Sequence, residues 1–158
     1  MVEEGQWREE AEAMLPMMWQ LAGSILRSRQ DAEDAVQQAL MRAWETRARA
    51  RAATFRGYLM RILVNECRNI QRQRQRVTPM EDFSLIPAPE RDDMREVYRA
   101  ISALPESLRL PLCLKYLEDL SEKEAAQALG LTVTTFKSRL HRARKLLRKS
   151  LDREVTLE

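Results

Sequence analysis

Between Lys137 and Lys149 the chain carries Lys137, Arg139, Arg142, Arg144, Lys145, Arg148 and Lys149 and not one carboxylate. Side chains of this kind hold anions: Lys as a point charge, Arg as a planar fork that matches phosphate. A second acid-free stretch, Arg68 to Arg76, bears Arg68, Arg72, Arg74 and Arg76. Between the two, Glu81, Asp82, Glu90, Asp92, Asp93 and Glu96 outweigh Arg91 and Arg95. The formal charge of the whole chain is only +3 although 32% of its residues are charged, so the distribution carries the information. Two basic stripes parted by an acidic stretch suit a polyanion such as nucleic acid. Two solvated helix faces would explain the charge but not the missing acids.

Other chemistry finds little support. His141 is the single histidine, and no Cys or carboxylate cluster stands beside it in sequence, so no metal is expected. There is no Ser/His/Asp set and no Gly-rich phosphate loop, hence no catalytic residue, no cofactor and the expectation that this is not an enzyme. Cys67 and Cys113 form no metal-ligand spacing and sit among apolar neighbours, as reduced core thiols of the cytosol do. No apolar run approaches the roughly 18 residues that span a bilayer, and MVEEGQWREE lacks the regions of a secretion signal. A cytoplasmic protein without membrane insertion is expected.

The elements that must position these residues are helical. Gly is scarce, at 4 residues, and Ala, Leu, Arg, Glu and Gln, which lose least on entering a helix, dominate the 158. Apolar spacing predicts a first helix from about Glu9 to Arg27, with Met14, Met17, Met18, Leu21, Ile25 and Leu26 on one face and Pro16 inside or at its start. Asp31 reads as the N-cap of a second, which turns Ala35, Val36, Ala39, Leu40, Ala43 and Trp44 inward. Thr54 can cap a third, Phe55 to about Arg76, whose stripe is Phe55, Tyr58, Leu59, Ile62, Leu63 and Ile70. Its second half is too polar for burial. Val77 to about Asp93, with Pro79, Pro87 and Pro89, has no period and reads as a linker.

Beyond it, Val97, Tyr98, Ile101 and Leu104 are helically spaced, and Pro105 suits a helix start, the helix running on through Leu108, Leu112, Leu114 and Leu117 with Pro111 inside. Ser121 to Glu124 is a capping box, Gly130 a left-handed stop, and Thr132 the cap of a last helix through Phe136, Leu140, Ala143, Leu146 and Leu147. A short capped helix, a Gly turn and a longer basic helix make a helix-turn-helix. With Phe136 and Leu140 inward, Thr134, Thr135, Lys137, Ser138, Arg139, His141 and Arg142 remain as candidate readers of base edges and phosphates. The fold class expected is all-α, as two small helical domains: 8–76 and 94–151, joined by a linker at 77–93.

Three blocks, DAEDAVQQALMRAW (31–44), FRGYLMRILVNECRNIQRQRQR (55–76) and LPESLRLPLCLKYLEDLSEKEAAQALGLTVTTFKSRLHRARKLLR (104–148), resemble regions two and four of extracytoplasmic-function (ECF) sigma factors. The resemblance covers about four-fifths of the chain. It implies that the chain gives core RNA polymerase its preference for promoter DNA. The second helix is similar to the one that docks on the polymerase, with Asp34, Gln37, Gln38 and Arg42 as its polar contacts. On the third, Asn65 and Asn69 match positions that meet the non-template strand of the downstream, minus-ten element, and Arg61, Arg68 and Arg72 would hold the backbone. Phe55 and Tyr58 read as core rather than as base-stacking residues. The last helix, with Arg144 added to the readers above, would meet the upstream, minus-thirty-five element. An anti-sigma factor is a further partner that the resemblance implies. The rival readings are a freestanding helix-turn-helix regulator, which needs a dimer seam not evident here, and a sigma mimic that titrates an anti-sigma factor, which has no need of Asn65 or of a basic last helix.

Overall fold

A computed structural model describes residues 4–26, 28–49, 55–77, 92–116 and 120–157. These form α1 (Glu4–Ile25), α2 (Arg29–Glu45), a 3-10 turn at Arg47–Arg49, α3 (Phe55–Val77), α4 (Asp92–Ser102), α5 (Glu106–Tyr116), α6 (Glu122–Leu129) and α7 (Val133–Leu157). Thr54 and nearly all of the linker fall outside the described residues. Among the described residues there is no strand, and no helix is long and apolar enough to cross a membrane.

Helices α1 to α3 form one packed unit. Met14, Met17, Met18, Leu21, Ile25 and Leu26 are all buried, as their spacing requires, against Ala35, Val36, Ala39 and Ala43 of α2 and Leu59 and Leu63 of α3. Pro16 lies inside α1 and neither opens nor ends it. At one end of the unit, Trp7 meets Trp44 and Phe55 edge-on, at 5.2 and 6.0 Å between ring centroids, which pins the three helices together. The Tyr58 hydroxyl is hydrogen-bonded to that of Thr46 beside them. Phe55 and Tyr58 are thus engaged with neighbouring side chains of their own unit.

The start of α2 differs from expectation. Ser28, in extended conformation, is the N-cap and its hydroxyl accepts from the Asp31 amide at 3.3 Å. Asp31 stands three places inside the helix, where its carboxylate is 6% exposed and takes two bonds from Arg74, at 3.0 and 2.7 Å. Either residue can cap. The competing use of Asp31, as the buried partner of an arginine on α3, is a tertiary matter.

The second unit, α4 to α7, follows its local signals closely. Pro105 sits one place before α5, and its carbonyl accepts from Leu108 and Arg109. Pro111 lies inside α5, buried. The capping box is complete: the Ser121 hydroxyl accepts from the Glu124 amide at 3.1 Å and the Glu124 carboxylate accepts from the Ser121 amide at 3.0 Å. Ser121→Ala removes one half of that exchange and lowers stability by about 1 kcal/mol. A urea midpoint equal to that of the parent chain would show the cap to be idle.

The two units touch. Helix α3 packs on α6, and α1 on α5. Met60, Val64 and Cys67, outside the apolar stripe expected for α3, are fully buried. So α3 is covered on two sides, by its own unit and by the second one. Leu146, expected inward on α7, is instead 38% exposed.

Burial pushes the Cys67 thiol up from 9.0 to about 12, with the negative charges of Glu106 and Glu66 adding to the effect. A thiol whose pKa is higher folded than unfolded contributes stability that is complete below pH 9 and is lost as pH rises towards 12. The expected loss approaches roughly 1.4 kcal/mol per pH unit across that window. Denaturant titrations at pH 8 and pH 10 check it: Cys67→Ala should flatten the difference, and an unaltered slope would show another group to be responsible.

Candidate nucleic-acid interface

The turn between α6 and α7 is built by two successive caps. Gly130 is left-handed, with φ at 68°. Its amide donates to Gln127 and the Leu131 amide to Ala126, the paired bonds of a Schellman stop. Thr132 then opens α7, its hydroxyl accepting from the Thr135 amide at 3.2 Å and its carbonyl from Phe136. These caps fix the angle at which α7 leaves α6.

With Phe136, Leu140, Ala143 and Leu147 buried, the rotation of α7 about its axis is settled. Thr134, Lys137, Ser138, His141, Arg142 and Arg144 are exposed, and Thr135 and Arg139 half-buried. The Thr135 hydroxyl accepts from Thr132 at 2.9 Å, and the Lys137 ammonium lies 3.4 Å from Glu122 of α6. All eight residues expected on this face lie on the N-terminal half of one helix, cations and hydroxyls together. Hydroxyls and His can exchange hydrogen bonds with base edges, and the Arg and Lys side chains can hold phosphates.

On α2, Asp34, Gln37, Gln38 and Arg42 are likewise exposed. The Gln30 amide donates to Asp34 at 3.2 Å. Arg42 has a structural tie as well: its guanidinium lies 2.6 Å from Glu66 of α3, whose side chain is only 9% exposed. It therefore compensates an almost buried carboxylate besides standing at the surface. Met41, 57% exposed, lies on the same face and was missing from the expected set. The signal was available in its position seven residues from Asp34 and four from Gln37, away from Ala35, Val36 and Ala39.

The α3 residues separate into two groups. Asn65, Asn69 and Arg72 are exposed. Arg61 and Arg68 are turned towards the second unit. Arg61 donates to the Gln127 carbonyl at 3.4 Å, and Arg68 lies 3.9 Å from Glu106. Arg74, expected to project with the basic stripe, is instead held by Asp31, and that carboxylate pushes its pKa further up. Among the described residues no group of three or more His, Cys, Asp and Glu could hold a metal ion, and both cysteines are free thiols.

Residues 11–77 match the family model for Sigma-70 region 2, and residues 94–147 that for Sigma-70, region 4. The chain is 31% identical over 154 residues to the ECF RNA polymerase sigma factor SigE of Mycolicibacterium smegmatis, a match covering 90% of this chain and 60% of the relative, so it spans less than two-thirds of that protein. It is 31% identical over 137 residues to the ECF RNA polymerase sigma-E factor of Escherichia coli, covering 74% of this chain and 72% of the relative. The sigma factor RpoE of Bartonella quintana, solved in complex with the anti-sigma factor NepR, superposes with a TM-score of 0.76 at 28% identity, over 92% of this chain and 96% of that one. CnrH, solved with the cytosolic domain of CnrY, shares the fold, with a TM-score of 0.68 at 22% identity over 95% of this chain and 90% of that one.

Proposed function

Since the chain belongs to the ECF branch of the sigma-70 family of RNA polymerase sigma factors, we propose that it directs core RNA polymerase to specific promoters and starts transcription there. The observation that carries this reading is the exposed cationic N-terminal half of α7, set by two caps, in a chain that also contains the α1–α3 unit. Residues 8–76 would serve the polymerase and the downstream element, and residues 94–151 the upstream element, with 77–93 as the tether. Neither contact has to be strong by itself. A polymerase that positions both units raises the effective concentration of each for the same duplex.

The roles divide by element. Asp34, Gln37, Gln38 and Arg42 of α2, with Met41 among them, meet the polymerase. Asn65 and Asn69 accept from and donate to unstacked bases of the downstream element, while Arg61, Arg68 and Arg72 hold its backbone. Capturing unstacked bases offsets the few kcal/mol needed to unstack them. Thr134, Thr135, Lys137, Ser138, Arg139, His141, Arg142 and Arg144 read the upstream element. The protein acts in the cytoplasm, is not an enzyme in its own right, and is held in check by an anti-sigma factor, a partner class named for the Bartonella relative.

Run-off transcription with purified core polymerase on a library of randomised promoters tests this. Enrichment of two sequence elements at a fixed spacing supports the reading. A chain that binds and footprints DNA as a dimer without polymerase would replace it with a freestanding regulator.

A further inference from the structure

Helices α2 and α3 are laced by two ion pairs of opposite sense. Near the end of α2 the Arg42 guanidinium lies 2.6 Å from Glu66 of α3, and near its start the Asp31 carboxylate takes two bonds from the Arg74 fork, at 3.0 and 2.7 Å. Both carboxylates are almost buried, and both pairs lie wholly within the first unit. Glu66, Ile70 and Arg74 recur every four residues, so they share the side of α3 that meets α2. Asn65, Asn69 and Arg72 stand about a third of a turn round the axis from them, and are exposed. Apolar packing fixes that rotation only as far as Ile70, because residues 71–76 read QRQRQR. Past Ile70, polar groups tie α3 to the first unit: Gln71 donates to the Ile25 carbonyl at 3.2 Å, and Arg74 grips Asp31.

We infer that Asp31 is a positioning residue for DNA recognition: by holding Arg74 it fixes the direction and rotation of the polar half of α3, and so aims Asn69 and Arg72 at the downstream element. The inference rests on the assignment of α3 to that element made above. Arg74 is better suited to this use than to holding phosphate. A planar guanidinium that already meets both oxygens of a carboxylate has its paired donors engaged. To reach a phosphate it would have to abandon an almost buried carboxylate, and a buried charge left without its partner is strongly destabilising. The helix dipoles favour the same arrangement. Asp31 stands in the first turn of α2, where an anion is stabilised, and Arg74 near the end of α3, where a cation is.

Run-off transcription with core polymerase compares a promoter recovered from the randomised library with the same promoter altered in its downstream or its upstream element. Preference is read as the ratio of transcripts, which cancels any loss of folded protein. Asp31→Asn should lower the downstream preference roughly fivefold, a modest value for groups in contact, and leave the upstream preference as it was. Arg74→Gln should do the same, and the two together should be no worse than either alone, since both break one tie. Amide hydrogen exchange should quicken over residues 71–77 in each variant and stay unchanged in α5 to α7. If Arg74 instead holds phosphate, Asp31→Asn frees it and strengthens transcription from every promoter, while Arg74→Gln weakens all of them alike; that result overturns the inference. Loss of preference without faster exchange at the end of α3 means that Asp31 acts by another route, and overturns it as well. So does an unchanged downstream preference in Asp31→Asn where Asn65→Ala still lowers it. If Asn65→Ala changes nothing either, or the library yields no promoter, the assignment of α3 to the downstream element fails, and the positioning role falls with it.

Discussion

Phe136→Ala lowers stability by about 3–5 kcal/mol, the range for emptying a buried aromatic site. Phe136 is fully buried and stands in the first turn of α7, directly after the Thr132 cap, whose carbonyl receives its amide. With it α7 packs on α5 and α6; without it the rotation that keeps Phe136, Leu140 and Ala143 inward loses its largest anchor. Whole domains are stable by only about 5–15 kcal/mol, so the substitution removes a large share of that stability and the melting temperature should fall clearly. Thermal unfolding by circular dichroism gives the measurement. A melting temperature within a degree or two of the parent would mean that the core of this unit lies elsewhere. Phe136→Leu, which restores most of the volume, should recover the greater part of the loss.

Arg142→Ala and Lys137→Ala leave the core untouched and strike the reading face. Each should weaken promoter use by about 1–3 kcal/mol if its side chain contacts a base, a factor of roughly 5 to 150. The two positions are five residues apart on α7, so the losses should add. The manner of loss identifies the contact. A base reader relaxes the preference at one position of the upstream element, whereas a phosphate holder weakens all promoters alike and makes binding less sensitive to salt. Lys137 starts with the carboxylate of Glu122 at 3.4 Å, so part of its charge is spoken for in the free chain, and its effect should be the smaller of the two. Run-off transcription on one promoter and its upstream-element variants decides. Unchanged transcription by both variants, with unchanged melting, would move the upstream reader off this face of α7.

Much of this was open to reading along the chain because the responsible interactions are short-range. Ser121 and Glu124 are three residues apart and exchange their bonds without help from elsewhere. Gly130 stops α6 because the left-handed turn is easy only for a residue without Cβ. Phe136, Leu140, Ala143 and Leu147 declare the inner face of α7 by their spacing, and with it the outer one. Seven of the eight residues proposed as readers follow by subtraction, and Arg144 was added by the family resemblance.

What the chain settles by itself, then, is helix identity, most caps, and which side of α1, α2 and α7 is apolar. Tertiary structure alone decided that α3 has two buried faces. Its Met60, Val64 and Cys67 are buried on a helix that also packs on α6, and its Arg61 and Gln71 reach Gln127 and Glu106, 66 and 35 residues along. Periodicity reports how apolar residues are spaced on one helix, not how many neighbours arrive to cover them. The same reason explains Asp31, Arg74, Arg68 and Glu106. Each carries a charge whose type is plain in the sequence, but whether that charge faces water, DNA or a carboxylate depends on a partner far away in the chain. Only the folded arrangement brings the two together.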